Sequence, residues 1–369
     1  MNRPKTPAQN YKEHLYAVIL AGGRGTLFWP RSRRRFPKQL MNFWGEASLL
    51  QQTVARLQPL IPLRNVWVFT NQDLASAIAR QLPGVPKSQI IAEPVQRNTA
   101  PCIGLAAEII GERDPEAVLG VFPSDHTVSK PAEFRKVVEL AARHAAQGEI
   151  VVLGIQPRWA ETGYGYMEFG GIPSLTTLRG APVKQFREKP IKAEAERYVR
   201  TKRFFWNSGM FFWKATTVRN ALERHLPETA AVVKSIAGKA GNPRAMNRAL
   251  IQRYPDCQNI SIDYAVLEKA AQVTGIPCDI GWNDVGSWNA VYDLLPRDRQ
   301  GNVLRTQTML LDSSGLLVDV PGKLVVGAGL KDLIVVETPD ALLIVPRHRA
   351  QEVSQLVKEL EKKSRNDLL

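Results

Sequence analysis

Between residue 16 and about residue 157 the chain alternates short apolar runs rich in β-branched residues with stretches that repeat at helical spacing. Few folds tolerate that rhythm. The apolar runs are YAVILAG, NVWVFTN, SQIIAEP, AVLGVFPS and EIVVLGI, and the helical stretches between them are Ser48–Leu60, Asp73–Leu82, Ala100–Glu112 and Ala132–Gln147. In the first helical stretch Leu49, Leu50, Thr53, Val54 and Leu57 fall on one stripe. Strands that alternate with helices imply right-handed crossovers and a mostly parallel sheet covered on both faces, so the fold class is α/β. Such sheets bind ligands in the loops beyond the carboxyl ends of their strands, and function is to be sought there.

From about 158 to 295 the rhythm loosens. YGYMEF, the segment around VKQFREKP, and WNSGMFFWKA read as strands, with helices at Thr216–His225, Glu228–Ile236, Ala245–Arg253 and Asp263–Ala271. No Pro/Gly/Ser linker separates this part from the first. The last seventy or so residues change character: TMLLDSSGLLVDV, GKLVVGAG and DLIVVETPDALLIVP are short strands broken by SSG, PG and TPD turns, and a charged amphipathic helix from about Gln351 to Lys363 follows. The expected division is a large domain, 1–299, and a small β-rich domain, 300–369, that ends in a helix. Two roles are open to the small domain: pairing two copies into a homodimer, or covering the large one.

Composition removes several classes. An apolar content of 44% excludes a disordered chain, and 26 Gly with 25 Pro exclude collagen-like architecture. No apolar run approaches the ~18 residues of a membrane helix, and the polar start MNRPKTPAQNYKEH carries no visible signal peptide. Cys102, Cys257 and Cys278 lack C-x-x-C spacing, which suits a reduced, cytoplasmic protein without a disulfide frame or zinc knuckle. The net charge of +14 invites a nucleic-acid partner, but its distribution argues otherwise. Arg24, Arg31, Arg33, Arg34, Arg35 and Lys38 form the densest cluster, with no acid among them. A concentrated patch in a glycine-rich loop suits a compact polyanion such as a triphosphate at least as well as a duplex, and no nucleic-acid or membrane partner is expected.

That loop lies in VILAGGRGTLFWPRSRRRFPKQL, Val18–Leu40, where a strand runs into Gly22, Gly23, Arg24 and Gly25. Glycines there let the backbone approach a phosphate and aim its N–H groups at it. The segment is neither the G-x-G-x-x-G dinucleotide fingerprint nor a Walker P-loop. Two carboxylates stand where loops leave strand ends: Asp125 after AVLGVFPS and Asp284 after GWN. Taken alone, each reads as a turn or cap residue. A pair of such hard oxygen donors also suits magnesium, which takes one or two protein carboxylates and leaves the rest to water and phosphate. Asp263 in SIDYAVLEK competes for that role, or serves as the cap of the helix that follows it.

Seven segments in order carry a wider resemblance: the glycine loop, FPSDH (122–126), TGYGYMEF (162–169), FREKP (186–190), WNSGMFFWKA (206–215), SIDYAVLEK (261–269) and WNDVGSW (282–288). Together the chain resembles the sugar-nucleotide pyrophosphorylases, and among them most the mannose-1-phosphate guanylyltransferases. The resemblance implies a Rossmann-like nucleotidyltransferase fold and Mg²⁺-dependent transfer of GMP from GTP to α-mannose 1-phosphate, with GDP-mannose and pyrophosphate as products. It implies nucleotide contacts at Ala21, Gly22, Gly23, Gly25, Thr26 and Lys38, and base or phosphate contacts at Glu93, Arg97, Asn98 and Thr99. The alternative for the last two is the cap of a helix start. Lys38, Arg24 and Asp125 are the implied catalytic groups, and Asp125 with Asp284 the implied metal pair. The sugar phosphate would meet Gly165, Glu188, Lys189, Asn207 and Asp263. Longer relatives append a phosphomannose isomerase domain, and that second activity is not expected here.

One position departs from the family pattern. Where Gly-Thr-Arg is the rule, this chain has Thr26 and then Leu27. Loss of a group that stabilises transition-state charge costs about 10²–10³-fold in rate. The resemblance therefore leaves open an impaired or regulatory relative that binds nucleotide sugars, alongside the same chemistry on another nucleotide or sugar 1-phosphate.

Overall fold

A computed structural model describes residues 11–23 and 25–369 of the chain. The first stretch builds β1 (Leu15–Leu20), α1 (Leu49–Leu57), β2 (Val66–Asn71), α2 (Gln72–Gln81), β3 (Ile90–Glu93), α3 (Thr99–Arg113), β4 (Val118–Pro123), β5 (Thr127–Val128), α4 (Pro131–Ala146) and β6 (Val151–Ile155). The next builds β7 (Tyr166–Phe169), β8 (Ala181–Arg187), α5 (Lys192–Thr201), β9 (Phe204–Lys214), α6 (Ala215–His225), α7 (Pro227–Ala237), α8 (Pro243–Arg253), β10 (Thr274–Cys278), β11 (Trp282–Asn283) and α9 (Trp288–Leu294). The last builds β12 (Val303–Leu304), β13 (Thr308–Leu311), β14 (Leu317–Asp319), β15 (Val325–Ala328), β16 (Leu333–Thr338), β17 (Ala341–Pro346) and α10 (Val353–Lys362).

Packing divides the chain into two units, one running to Gly22 and through Thr53–Ser124 and Val128–Trp282, the other comprising Gly23–Gln52, Asp125–Thr127 and Asn283–Leu369. The first unit holds a nine-stranded sheet in the order β3-β2-β1-β4-β9-β6-β10-β8-β7. Its β3-β2-β1-β4 half is parallel, as the alternation predicts. β6 and β10 are parallel too, but β9 lies antiparallel between β4 and β6, and β7 and β8 pair antiparallel. The sheet is thus more mixed than its first half suggests. Parallel neighbours need a crossover of a dozen or more residues, usually a helix, and no helix separates β7 from β8. β1 lies buried in the middle of the parallel half, with Val18 paired to Trp67 on one side and Val121 on the other. α3 is buried along nearly its whole length, which explains its run of Ala, Gly and Ile in place of an amphipathic pattern.

The expected helix at 263–271 is shorter. A five-residue π-helical turn spans Asp263–Leu267, and β10 follows at Thr274.

In the second unit, successive strands wind so that β12, β14 and β16 stack in parallel, β13 pairs in parallel with β15, and β17 closes antiparallel on β16. The unit's core joins Val303, Leu317, Ile334, Val336, Leu343 and Val345 of this coil to Phe28, Met41, Phe43, Val285 and Trp288. Phe28 meets Phe43 at 4.6 Å and Trp288 at 5.4 Å, both edge-on. Residues 23–52 and 283–299 therefore pack with the β-rich segment, whereas the sequence reading placed the division at 299/300. A shared core of residues that distant in the chain leaves no local mark in the sequence.

Candidate functional site

In the second unit, Lys38 opens a short 3₁₀ turn, Lys38–Leu40, and its side chain is only 8% exposed. The ammonium donates to Asp125 Oδ2 at 2.9 Å and to the main-chain carbonyl of Asp284 at 2.5 Å. One cation thus gathers both aspartates of the expected metal pair. Burial alone would raise the Asp125 pKa, but Lys38 and His126 outweigh it and hold the carboxyl below its ordinary value. Gly25 makes this packing possible. Its φ is +55°, and a Cβ there would stand 2.6 Å from Lys38 Cβ and 2.8 Å from Lys38 N.

The backbone is strained at the residue after Asp284. Asn283 Oδ1 accepts from the Val285 N–H at 2.7 Å, and Val285, a β-branched residue, takes φ +49° while its side chain is fully buried in the aromatic core. Among the described residues no group of three or more His, Cys, Asp or Glu converges. Hard oxygens at one cation, the carboxylate of Asp125 and the main-chain carbonyl of Asp284, suit an ion that takes most of its ligands from water and phosphate, and the donors present fit magnesium on that ground.

The basic cluster that the sequence reading aimed at a polyanion is largely paired within the unit. Arg31 lies 2.8 Å from Asp319, Arg33 2.8 Å from Asp340 and Arg34 3.3 Å from Glu361. The acids that neutralise it lie about 300 positions downstream, so the sequence shows only the positive half. Arg24 and the side chain of Thr26 lie outside the described residues and atoms. Leu27 packs against the Phe28–Phe43–Trp288 core and brings no charge.

In the first unit, the chain leaves β1 through Ala21 and Gly22. The Ala21 N–H donates to the Phe69 carbonyl at 2.7 Å, so this amide continues the sheet ladder and is not presented to a phosphate. The Gly22 carbonyl accepts from Gln96 Nε2 at 2.5 Å. Glu93 ends β3, buried, with Oε1 accepting from the Tyr254 hydroxyl and Oε2 3.8 Å from where a Gly22 Cβ would stand. Burial pushes the Glu93 carboxyl up to about 7 against the pull of that hydrogen bond. Asn98 takes the capping alternative, accepting from the Thr99 N–H at 2.9 Å at the start of α3, whereas Thr99 is the first residue of the helix and its Oγ1 accepts from the Ile262 N–H at 2.9 Å. Arg97 donates to the Pro255 carbonyl at 2.5 Å. Gln96 and Tyr254 escaped the sequence reading. Gln96 stands inside AEPVQRNTAP, whereas nothing local marks Tyr254.

The five residues expected at the sugar phosphate do come together in this unit. Asn207, on β9, donates through Nδ2 to Asp263 Oδ1 at 2.9 Å. Its backbone N–H donates to the Gly165 carbonyl at 2.8 Å. A Cβ on Gly165 would stand 2.4 Å from Glu188 Oε2, so glycine alone leaves that carboxylate its place. Lys189 Nζ lies 3.7 Å from Glu188 Oε1, with its side chain 59% exposed. Burial, and then the charge of Asp263, push Glu188 up to about 7, with Lys189 opposing. Burial also raises Asp263, against hydrogen bonds from Asn207 and Ser261.

The lysine held by Asp125 and the Asp284 main chain lies in one unit and the carboxylate cluster around Glu188 in the other, and comparison with known proteins decides the family. The Nucleotidyl transferase pattern matches residues 16–301. The chain belongs to that family. A second pattern, the MannoseP isomerase/GMP-like beta-helix domain, matches residues 306–360, the coil of parallel strands. This nucleotidyltransferase is 35% identical to the mannose-1-phosphate guanylyltransferase of Klebsiella pneumoniae over 357 residues, covering 96% of this chain and 75% of that one. It is 34% identical to the alginate biosynthesis protein AlgA of Pseudomonas aeruginosa, over 95% of this chain and 73% of that one. Among solved structures it is similar to the mannose-1-phosphate geranyltransferase from Thermus thermophilus, with a TM-score of 0.84 and 32% identity over 94% of this chain and 99% of that one. No described helix is long and apolar enough to cross a membrane.

Proposed function

We propose that this nucleotidyltransferase moves GMP from GTP to α-mannose 1-phosphate, releasing pyrophosphate and forming GDP-mannose. The observation that carries this reading is the Lys38 ammonium held on Asp125 and on the Asp284 carbonyl, together with relatives of that name. A phosphate oxygen of the sugar phosphate attacks the α-phosphorus in line. The new O–P bond forms as the bond to the bridging oxygen breaks, and pyrophosphate carries the electron pair away. The nucleophile is already an anion, so no base is required. Lys38 neutralises charge on the phosphates, while Gly22, Gly23 and Gly25, lacking side chains, let them approach. Asp125 and Asp284 would hold magnesium, which when bound supplies further neutralisation of phosphate charge. Lys189 meets the phosphate of the sugar phosphate. Glu188, Asn207 and Asp263 take the sugar hydroxyls, and Glu93 with Arg97 lies on the base side. With Leu27 in place of arginine, Lys38 carries more of the charge neutralisation.

The test is pyrophosphate release with Mg²⁺, mannose 1-phosphate and each of the four ribonucleoside triphosphates plus dTTP. GTP-selective release is expected. Release with a different nucleotide, or with glucose 1-phosphate in preference to mannose 1-phosphate, moves the reading to that substrate. Silence with all of them, in the presence of tight binding, makes the chain a ligand-binding relative.

A further inference from the structure

The segment that carries Lys38 is tied down at four points, all by residues of the C-terminal part of its own unit. Arg31 Nη1 stands 2.8 Å from Asp319 Oδ2, at the end of β14, and Arg305 stands 3.2 Å from the same oxygen. The Asp319 side chain is 4% exposed, so this is a buried, charge-compensated cluster. Arg33 donates to Asp340, in the turn between β16 and β17, at 2.8 Å and to Thr338 at 3.5 Å, and its guanidinium lies over the Trp29 ring at 5.7 Å. Trp29 donates through Nε1 to the Leu368 carbonyl at 2.9 Å. Arg34 reaches Glu361 of α10 at a more exposed pair.

The route from these ties to Lys38 is short. Arg31 and Ser32 turn back on the Phe28 carbonyl, and Arg33 and Phe36 exchange backbone hydrogen bonds at 3.1 and 3.0 Å. Phe36 is two residues from Lys38, and Gly25 closes the other side of the loop against the Lys38 backbone. A shift at Arg31 or Arg33 therefore moves the ammonium.

We propose that Asp319 and Asp340 are positioning residues for nucleotidyl transfer: through Arg31 and Arg33 they fix residues 25–41 so that Lys38 is presented to the nucleotide's phosphates. The β-rich coil is then part of the phosphate-handling apparatus, and these two arginines serve as anchors rather than as ligands for the triphosphate. The proposal rests on the reading of Lys38 given above.

The experiment compares Asp319→Asn, Asp340→Asn and the conservative Asp319→Glu, with Glu361→Gln as a control at the exposed pair. Steady-state constants are measured for GTP and mannose 1-phosphate separately, together with amide hydrogen exchange. A displaced reacting group costs rate steeply, so kcat/KM for GTP should fall about ten- to hundredfold in the two Asn variants while the KM for mannose 1-phosphate stays within about twofold. Exchange should rise across 25–41 and not across 162–210, and Asp319→Glu should recover most of both effects. Equal shifts in both KM values would overturn the proposal by making the pairs merely structural, and unchanged exchange across 25–41 would overturn it by showing that the two acids do not hold the segment. Should Asp319→Asn fail to fold, Asp340→Asn carries the test, since the Asp340 side chain is 48% exposed. If the wild-type chain releases no pyrophosphate with any nucleotide, the functional reading fails, and the exchange arm still decides whether these acids order the segment.

Discussion

The two clusters expected to handle substrate solve opposite electrostatic problems. Around Lys38 the charges that the sequence makes conspicuous have opposite partners: Lys38 with Asp125, Arg31 with Asp319, Arg33 with Asp340. Around Glu188 two partly buried acids lie near each other with a largely exposed lysine as their main compensation, and both carboxyls are raised. Opposite charges order the first cluster before any ligand arrives. The second holds a proton near neutrality and offers acceptors whose hydrogen-bonding capacity a polyhydroxyl ligand can meet. Under the proposed function, the first arrangement is preorganised for the phosphates and the second is poised for the sugar.

If that contrast is right, variants of the first cluster should strike turnover and those of the second should strike sugar-phosphate binding. The largest effect is expected for Asp125→Ala, which leaves Lys38 without its carboxylate and removes half of the proposed metal pair. Pyrophosphate release should fall by about 10²–10³-fold or more, and a near-wild-type rate would break the assignment. Gly25→Ala comes next. Its positive φ and the 2.6 Å approach to Lys38 leave no room for a methyl group, so thermal unfolding should show a loss of about 2 kcal/mol or more along with reduced turnover.

A smaller and more selective effect is expected for Lys189→Ala. The KM for mannose 1-phosphate should rise about tenfold with kcat little changed, and an unchanged KM would remove Lys189 from the site. The subtlest test is pH. Glu188 holds its proton up to about 7 in the folded chain against an ordinary 4.5, so the folded state binds that proton more tightly than the unfolded one. Stability from this group is full below about 4.5 and declines as pH rises to about 7. Relative to Glu188→Gln, wild-type stability should fall across that window, while the ratio of their KM values for the sugar phosphate should change near pH 7. A flat difference in both would mean that the carboxyl is not poised.

Much of the fold was legible because it is written locally. β1, β2, β3, β4 and β6 lie within a few residues of the apolar runs that predicted them, and α2, α3 and α4 within one or two residues of their helical stretches. β-branched runs and helical spacing are properties of consecutive residues, so they survive being read without a structure. The π-helical turn at Asp263–Leu267 was read as a longer helix, because the residues after it are as helix-compatible as those within it. That Gly165, Glu188, Lys189, Asn207 and Asp263 cluster was legible through motifs alone: nothing in spacing brings Asn207 to Asp263, 56 positions away.

The sequence by itself determined the α/β class, the strand ends at which chemistry is possible, and the residue types able to perform it, since each is encoded in a short window of side-chain chemistry. Only the tertiary structure decided which charges are available and which are already paired. Arg31, Arg33 and Arg34 read as a bare cationic patch until the coil and the final helix supply Asp319, Asp340 and Glu361, and Glu93 reads as an ordinary base contact until the fold buries it beside Tyr254, burial raising its carboxyl against the hydrogen bond from that hydroxyl. The reason is that charge and burial are set by neighbours in space, and these neighbours stand between about 160 and 330 positions away along the chain.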